Sequence, residues 1–264
     1  MQELTDNEPF IRLGIFLGLF FLFGCLELLI PRRYLRQPKL TRWLTNFSIT
    51  ILNSLLVKWL FPLTAMMFAA LCQVQGIGLF NWLALPLWAN VVVGVVLLDL
   101  VIYSQHVLFH LHPVLWRLHR MHHTDLDLDV SSAARFHPLE ILLSMLIKFM
   151  AIVILGVAPV AVLIFEVVLN GMALFNHSNI RLPAWLDSGL RKILVTPDMH
   201  RIHHSVEHRE TNSNFGFNLS IWDRWFGTYC KEPALGQEDM VIGLPRFRHI
   251  EKQKLTHLLI QPLK

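Results

Sequence analysis

The chain has 264 residues, of which 54% are hydrophobic and only 16% charged, with a mean hydropathy of +0.47. Soluble domains carry about 25% charged residues, so a single water-soluble core is excluded and the apolar surplus points to lipid contact. The formal charge of +4 does not indicate nucleic acid, because the basic residues form no run with interleaved aromatics; they flank apolar stretches, as membrane-surface topology requires.

The N-terminus is acidic (Glu3, Asp6, Glu8), the reverse of a secretory leader, so the first apolar stretch is read as a retained membrane helix. Leu13 to Ile30 is the first predicted span, closed by Pro31-Arg32-Arg33. A second runs from about Ile51 to Leu71 and contains Lys58, which must snorkel, face the bundle interior or mark a later start. A third, Leu83 to Ser104, begins near Pro86 and ends in a histidine cluster. Leu139 to Leu155 and Val160 to Phe175 surround Gly156-Val157-Ala158-Pro159 and predict a helical hairpin that either crosses twice or dips in and returns.

Beyond His177 the chain turns polar, with helix-like patches at Pro183 to Leu194 and Pro197 to Val206 that read as a cap. Cys25, Cys72 and Cys230 are too far apart in sequence to suggest a disulfide framework. The basic loop from Arg32 to Arg42, set against an uncharged connection from Gln73 to Trp82, places that loop in the cytoplasm and every histidine on the same side. The expectation is an all-α integral membrane bundle of about three spans plus a hairpin, with a cytoplasmic cap. Residues 1–82 form N-terminal membrane helices and 83–264 a catalytic part.

Fourteen histidines include His106-Val-Leu-Phe-His110, His119-Arg-Met-His122-His123 and His200-Arg-Ile-His203-His204. Positions i, i+3 and i+4 share a helix face, so each HxxHH triplet feeds one metal site or bridges two. Imidazole suits Fe, Zn, Cu and Ni. Eight clustered histidines overfill one ion, and His177 in Asn176-His177-Ser178-Asn179 adds a ninth donor, so two ions is the economical count. Asp99, Tyr103 and Asp198 are candidates for orienting ligands or relaying protons; Asp99 is a carboxylate inside a span, where it is costly. His137, Glu140, Asn176 and Asp223 are candidate supports or structural residues. Glu166 is a candidate lining residue of a substrate cavity, and Trp222, Trp225 and Phe226 are candidate interfacial anchors. His112, His208, His249 and His257 read as surface or hydrogen-bonding residues.

HxxxH, then HxxHH, then a distal HxxHH after a hydrophobic hairpin resembles the fatty acid hydroxylase/sterol desaturase superfamily. Further matching pieces are Arg135-Phe136-His137-Pro138-Leu139-Glu140, Pro197-Asp198-Met199-His200, Asn212-Ser213-Asn214-Phe215-Gly216 and Trp222-Asp223-Arg224-Trp225-Phe226-Gly227-Thr228-Tyr229. The resemblance spans roughly residues 90–230. It implies a di-iron centre ligated by His106, His110, His119, His122, His123, His177, His200, His203 and His204. It also implies O2 as co-substrate, a lipid substrate drawn from the bilayer and a separate electron-donor protein. Some family members carry another histidine four residues before the one matching His177; here that position is Ala173, so the shell has one ligand fewer or recruits another donor. The competing readings are a zinc-dependent membrane hydrolase, against which the absence of HExxH counts, a b-type cytochrome, and a metal transporter or storage protein.

Overall fold

The computed structural model describes residues 2–264, with side chains from Asn7 onward, so the acidic side chains of Glu3 and Asp6 lie outside the described residues. Helices account for the architecture: α1 (Gln2–Leu29), α2 (Lys39–Leu60), α3 (Ala65–Val74), α4 (Leu79–Trp82), α5 (Leu87–Leu111), α6 (Pro113–His123), α7 (Pro138–Leu155), α8 (Pro159–His177), α9 (Ala184–Leu190) and α10 (Pro197–His203). Short helices α11 (His208–Thr211) and α12 (Ile221–Trp225) follow, with smaller pieces beyond. Extended pairing among the described residues is confined to isolated bridges such as Pro31 with Ile180. The bundle is all-α, as expected.

Five stretches are long and apolar enough to cross a membrane: Asn7–Leu29, Lys39–Trp82, Leu87–Leu111, Pro138–Leu155 and Pro159–His177. Their outer faces expose large side chains such as Phe10, Phe21, Leu55 and Trp88, which a lipid environment accommodates at no cost. Lys58 is exposed in the last turn of α2, which fits the snorkelling reading.

The second predicted span needs correction. The stretch from Ile51 to Leu71 is not one helix: α2 stops at Leu60 and α3 starts at Ala65. Pro62 supplies the reason, since proline pushes the preceding residue out of the helical region and donates no N–H. Phe61 is accordingly extended, and Thr64 starts α3 by accepting a hydrogen bond from the Met67 N–H at 3.2 Å.

The hairpin forms where it was expected. Gly156 ends α7 in the left-handed region (φ 68°), and its backbone lies so close to Gly78 (φ 100°) that a β-carbon on Gly78 would stand 2.3 Å from Gly156 N. Asn90 of α5 clamps the same turn, accepting from Ala158 N at 2.7 Å and donating to Gly156 O at 3.2 Å. The core between α3, α5, α7 and α8 packs Ala65, Ala69, Leu98, Ile152, Ala161 and Phe165. Charges inside α1, α7 and α8 are paired among the described residues, as burial in an apolar layer demands. Glu166 accepts from Lys148 at 2.5 Å and from Arg12 at 2.8 Å, and Arg12 also reaches Glu8 at 3.1 Å. Glu166 is therefore committed to ion pairs rather than free to line a cavity.

Candidate metal centre

Four helices bring the imidazoles together. Residues His106 and His110 leave α5 one turn apart, His119, His122 and His123 end α6, His177 ends α8, and His200, His203 and His204 end α10. The nine residues form two groups. His106, His110, His119, His123 and His203 make one, and His122, His177, His200 and His204 the other, with one ring nitrogen of each within 4.8 Å of its group mates. The groups adjoin: the rings of His123 and His204 stack with centroids 4.5 Å apart.

Each HxxHH triplet bridges. In α6 the i and i+4 residues, His119 and His123, serve the first group while the i+3 residue, His122, serves the second. In α10 the roles reverse, with His200 and His204 in the second group and His203 in the first. Helix geometry explains the split. At about 100° per residue, i+4 lies about 40° to one side of i and i+3 about 60° to the other, so the motif straddles two points. The count is uneven because α5 supplies an HxxxH pair while α8 supplies His177 alone; the position one turn earlier is the buried Ala173, and no other His, Cys, Asp or Glu joins that group among the described residues.

Hydrogen bonds fix the ring orientations. A backbone carbonyl only accepts, so a ring nitrogen facing one must carry the proton. His106 Nδ1 donates to Phe215 O at 2.8 Å, His203 Nδ1 to Ser213 O at 2.8 Å, His177 Nδ1 to Ala173 O at 2.8 Å and His122 Nδ1 to Arg135 O at 3.3 Å. His119 Nδ1 faces the Glu140 carboxylate at 2.6 Å. The Nε2 atoms of these rings are consequently bare lone pairs.

Those lone pairs point at one another. His106 Nε2 stands 3.1 Å from His119 Nε2, and His122 Nε2 stands 3.0 Å from His177 Nε2. His203 Nε2 and both nitrogens of His110 are buried without a protein partner. Facing lone pairs repel unless a cation lies between them. Ligands around one ion at bonds of about 2.0–2.1 Å stand on the order of 3.0–3.4 Å apart, so the donor set fits transition-metal ions. Burial, followed by the crowding of neighbouring imidazoles, holds His122, His123, His200 and His204 well below the ordinary histidine range, and burial with the same crowding does so for His203. That environment favours the neutral form of these five rings, the form that binds metal.

The other candidates stand around the two groups rather than in them. Glu140 touches His119 directly. Asp99 reaches no imidazole among its hydrogen bonds: it accepts from Asn218 N, Leu219 N and Trp222 Nε1, the last at 2.8 Å. Asp223 accepts from Phe215 N and Gly216 N, both at 2.8 Å, and from the Thr228 hydroxyl at 2.7 Å. Together they clamp the 213–222 segment whose carbonyls hold His203 and His106. Tyr103 hydrogen-bonds Thr228 at 2.8 Å and stacks on Phe226. Asp198 pairs with Arg32 and Arg201. Asn176 donates to Phe217 O. His137 belongs to neither group; it caps α7 through Leu139 N and faces Leu259 O at 3.1 Å. Trp222 is buried on Asp99, whereas Trp225 and Phe226 are exposed.

Sequence reasoning missed the brace behind α6. Arg42 of α2 donates to Asp125 at 2.8 Å and to Asp129 at 2.5 Å, all three buried. Burial disfavours the Asp125 charge, yet the Arg42 guanidinium holds that carboxyl far below the usual range. The brace fixes the 124–135 loop that carries Arg135 O to His122, and Phe136 stacks on His122 with centroids 4.4 Å apart. Its signal was the alternating Asp125-Leu-Asp127-Leu-Asp129 run that follows HxxHH after one intervening residue.

Fold and site together define a helical membrane protein with a paired polyhistidine centre. The Fatty acid hydroxylase family model matches residues 91–228, just over half of the chain. The chain belongs to the fatty acid hydroxylase/sterol desaturase superfamily. It is 34% identical over 158 residues to ornithine lipid hydroxylase OlsE of Rhizobium tropici, covering 60% of this chain and 46% of that protein. Alkylglycerol monooxygenase of Homo sapiens is 29% identical over 175 residues, covering 63% and 35% respectively. Cholesterol 25-hydroxylase of Rattus norvegicus is 26% identical over 243 residues, covering 86% and 78%. The matches thus span less than half the length of the first two relatives. No solved structure matches the chain.

Proposed function

We propose that this protein is a membrane-embedded di-iron oxygenase that hydroxylates, or desaturates, a C–H bond of a lipid. The observation that carries the reading is the pair of imidazole groups with lone pairs converging at 3.0–3.2 Å. Support comes from relatives named as lipid hydroxylases and monooxygenases. The nine histidines are the proposed ligands, five for one iron and four for the other.

Two bound iron ions would supply activation of O2 and attack on an unactivated C–H bond. The overall balance for hydroxylation is R–H plus O2, two electrons and two protons, giving R–OH and water. The electrons come from a separate donor protein. The chain's own residues do the rest. Carbonyls of Phe215, Ser213, Arg135 and Ala173 fix which nitrogen of each ring is free, and Glu140 does so for His119. Buried Phe109 and Phe215, in ring contact with His119 and with His106, His110 and His203, exclude water from the surroundings of the centre. The helices offer an apolar route for substrate. The cytoplasmic placement rests on the basic loop from Arg32 to Arg42, which reaches the cap through Arg32–Asp198 and Arg42–Asp125. The division into membrane helices at 1–82 and a catalytic part at 83–264 follows from every proposed ligand lying after residue 105.

The test is comparative lipidomics under 18O2 of cells expressing the wild type or His203→Ala. The expected result is one labelled lipid alcohol, or an alkene without label, in the wild type alone. The variant is expected to insert normally and to lose the metal pair. Unchanged product from a metal-depleted variant would remove the assignment.

A further inference from the structure

A cavity of about 830 Å3 lies outside the imidazole groups, lined in part by Arg32, Arg181, Trp185, Asp198 and Lys231. Its position is set by two helix exits. The chain leaving α1 and the chain leaving α8 are stitched together by Arg181 N to Ile30 O and Arg32 N to Asn179 O, both at 2.8 Å. The cavity opens beside that seam, where two candidate spans end on the side of the imidazole centre. Trp185 is 75% exposed on its wall and Ile193 nearby is 61% exposed. Exposed tryptophan is enriched at the headgroup layer of a bilayer, and Trp185 stands on α9, just after the last candidate span ends at His177.

Charge in the cavity is uneven once its internal pairs are removed. Asp187 is taken by Arg191 and by the Thr196 hydroxyl, and Asp198 by Arg32 and Arg201. Arg181 has only a loose contact with Glu238 at 3.9 Å and is 66% exposed. Lys231 forms no ion pair with a described residue. Lys231, and Arg181 held only by that long contact, therefore face one lining carboxylate outside these pairs, Glu232. Such cations at a bilayer surface attract anionic lipid heads.

We propose that this cavity holds the anionic group, phosphate or carboxylate, of the lipid substrate's head, with Arg181 and Lys231 as its cationic contacts and Trp185 against the adjoining apolar atoms. The assignment rests on the oxygenase reading and narrows it to a lipid with a charged head, as opposed to an uncharged sterol, alcohol or ether. Helix α10 links the two sites. Its first turn presents Asp198 to the cavity, and His200, His203 and His204 follow toward the imidazole groups.

The test uses the full chain purified in a neutral detergent and titrated with three probes, read by tryptophan fluorescence with Trp185→Phe as the blank. The probes are dihexanoylphosphatidylglycerol, uncharged dihexanoylglycerol and inorganic phosphate. The anionic lipid is expected to give a saturable change that the blank lacks, at least tenfold tighter than the uncharged lipid and tighter than phosphate alone. The double variant Arg181→Glu/Lys231→Glu is expected to bind it at least tenfold more weakly with unchanged iron content, which shows that the fold is intact. Equal binding of the charged and uncharged lipids, or equal binding by the double variant, overturns the site. Phosphate binding as tightly as the lipid overturns the lipid as occupant. Tight binding without any oxidised product removes the oxygenase reading alone, whereas product formation with unselective binding removes the headgroup site alone.

Discussion

His203 and His106 owe their orientation to two carbonyls on one loop, Ser213 O and Phe215 O, and that loop hangs on the Asp223 carboxylate. Replacing Asp223 by Asn removes a charged acceptor from two backbone N–H groups. The expected consequence is unequal: iron in the first group weakens about 10–100-fold, while the group of His122, His177, His200 and His204 keeps its iron. Chelator titration followed by Mössbauer spectroscopy checks this, and equal loss from both groups would contradict it. A pH effect follows from the same rings. His122, His123, His200, His203 and His204 are held well below the ordinary range when folded, and unfolded histidine titrates near about 6.5. As pH falls below that value the unfolded chain takes up protons the folded chain refuses, so the metal-free protein loses stability. Its melting temperature is expected to be lower at pH 5.5 than at pH 7.5; equal values would show that the rings are not buried and neutral. The histidines themselves were legible because their spacing is periodic. The carbonyls that orient them were not, because a backbone acceptor has no residue identity to read.

At the level of elements, α2 is more than a membrane anchor. Its Arg42 reaches Asp125, Asp129, Asp127 O and Ser132, and its Asn46 bonds Ser131 and Arg135, so one turn of helix holds the loop behind His122. Arg42→Ala would leave buried carboxylates without a partner, at a cost of about 3–5 kcal/mol. Thermal unfolding in detergent is expected to show that loss, with iron released as the brace opens; a melting temperature within a degree or two of wild type would contradict the brace. Sequence reading recovered the helices and the hairpin turn at Gly156, where a positive φ favours glycine. It overran at Pro62, where hydropathy continues but the backbone cannot. The bridging of each HxxHH between groups was open from spacing alone, since the choice depends on where α5 and α8 dock.

Across the whole molecule, the helices act as a frame that delivers nine imidazoles to one end of the bundle. The reading places that end in the cytoplasm. In a background with Cys25, Cys72 and Cys230 replaced, Ser188→Cys is expected to react with an impermeant thiol reagent only from the cytoplasmic face, and Gln75→Cys only from the opposite face; the reverse pattern would invert the topology. The helical class was legible from the lengths of the apolar stretches, the histidine centre from motif spacing, and the family from the resemblance those motifs carry. The cap's ion pairs with the loop after α1, such as Arg32 with Asp198 and Glu238, join residues more than 160 positions apart, and no local pattern announces them.

The iron content of the purified, full-length chain tests the central claim most directly. Elemental analysis is expected to give two irons per chain, with a visible spectrum free of a haem band. One iron or none after reconstitution, or zinc in both sites of an active preparation, would contradict a di-iron oxygenase.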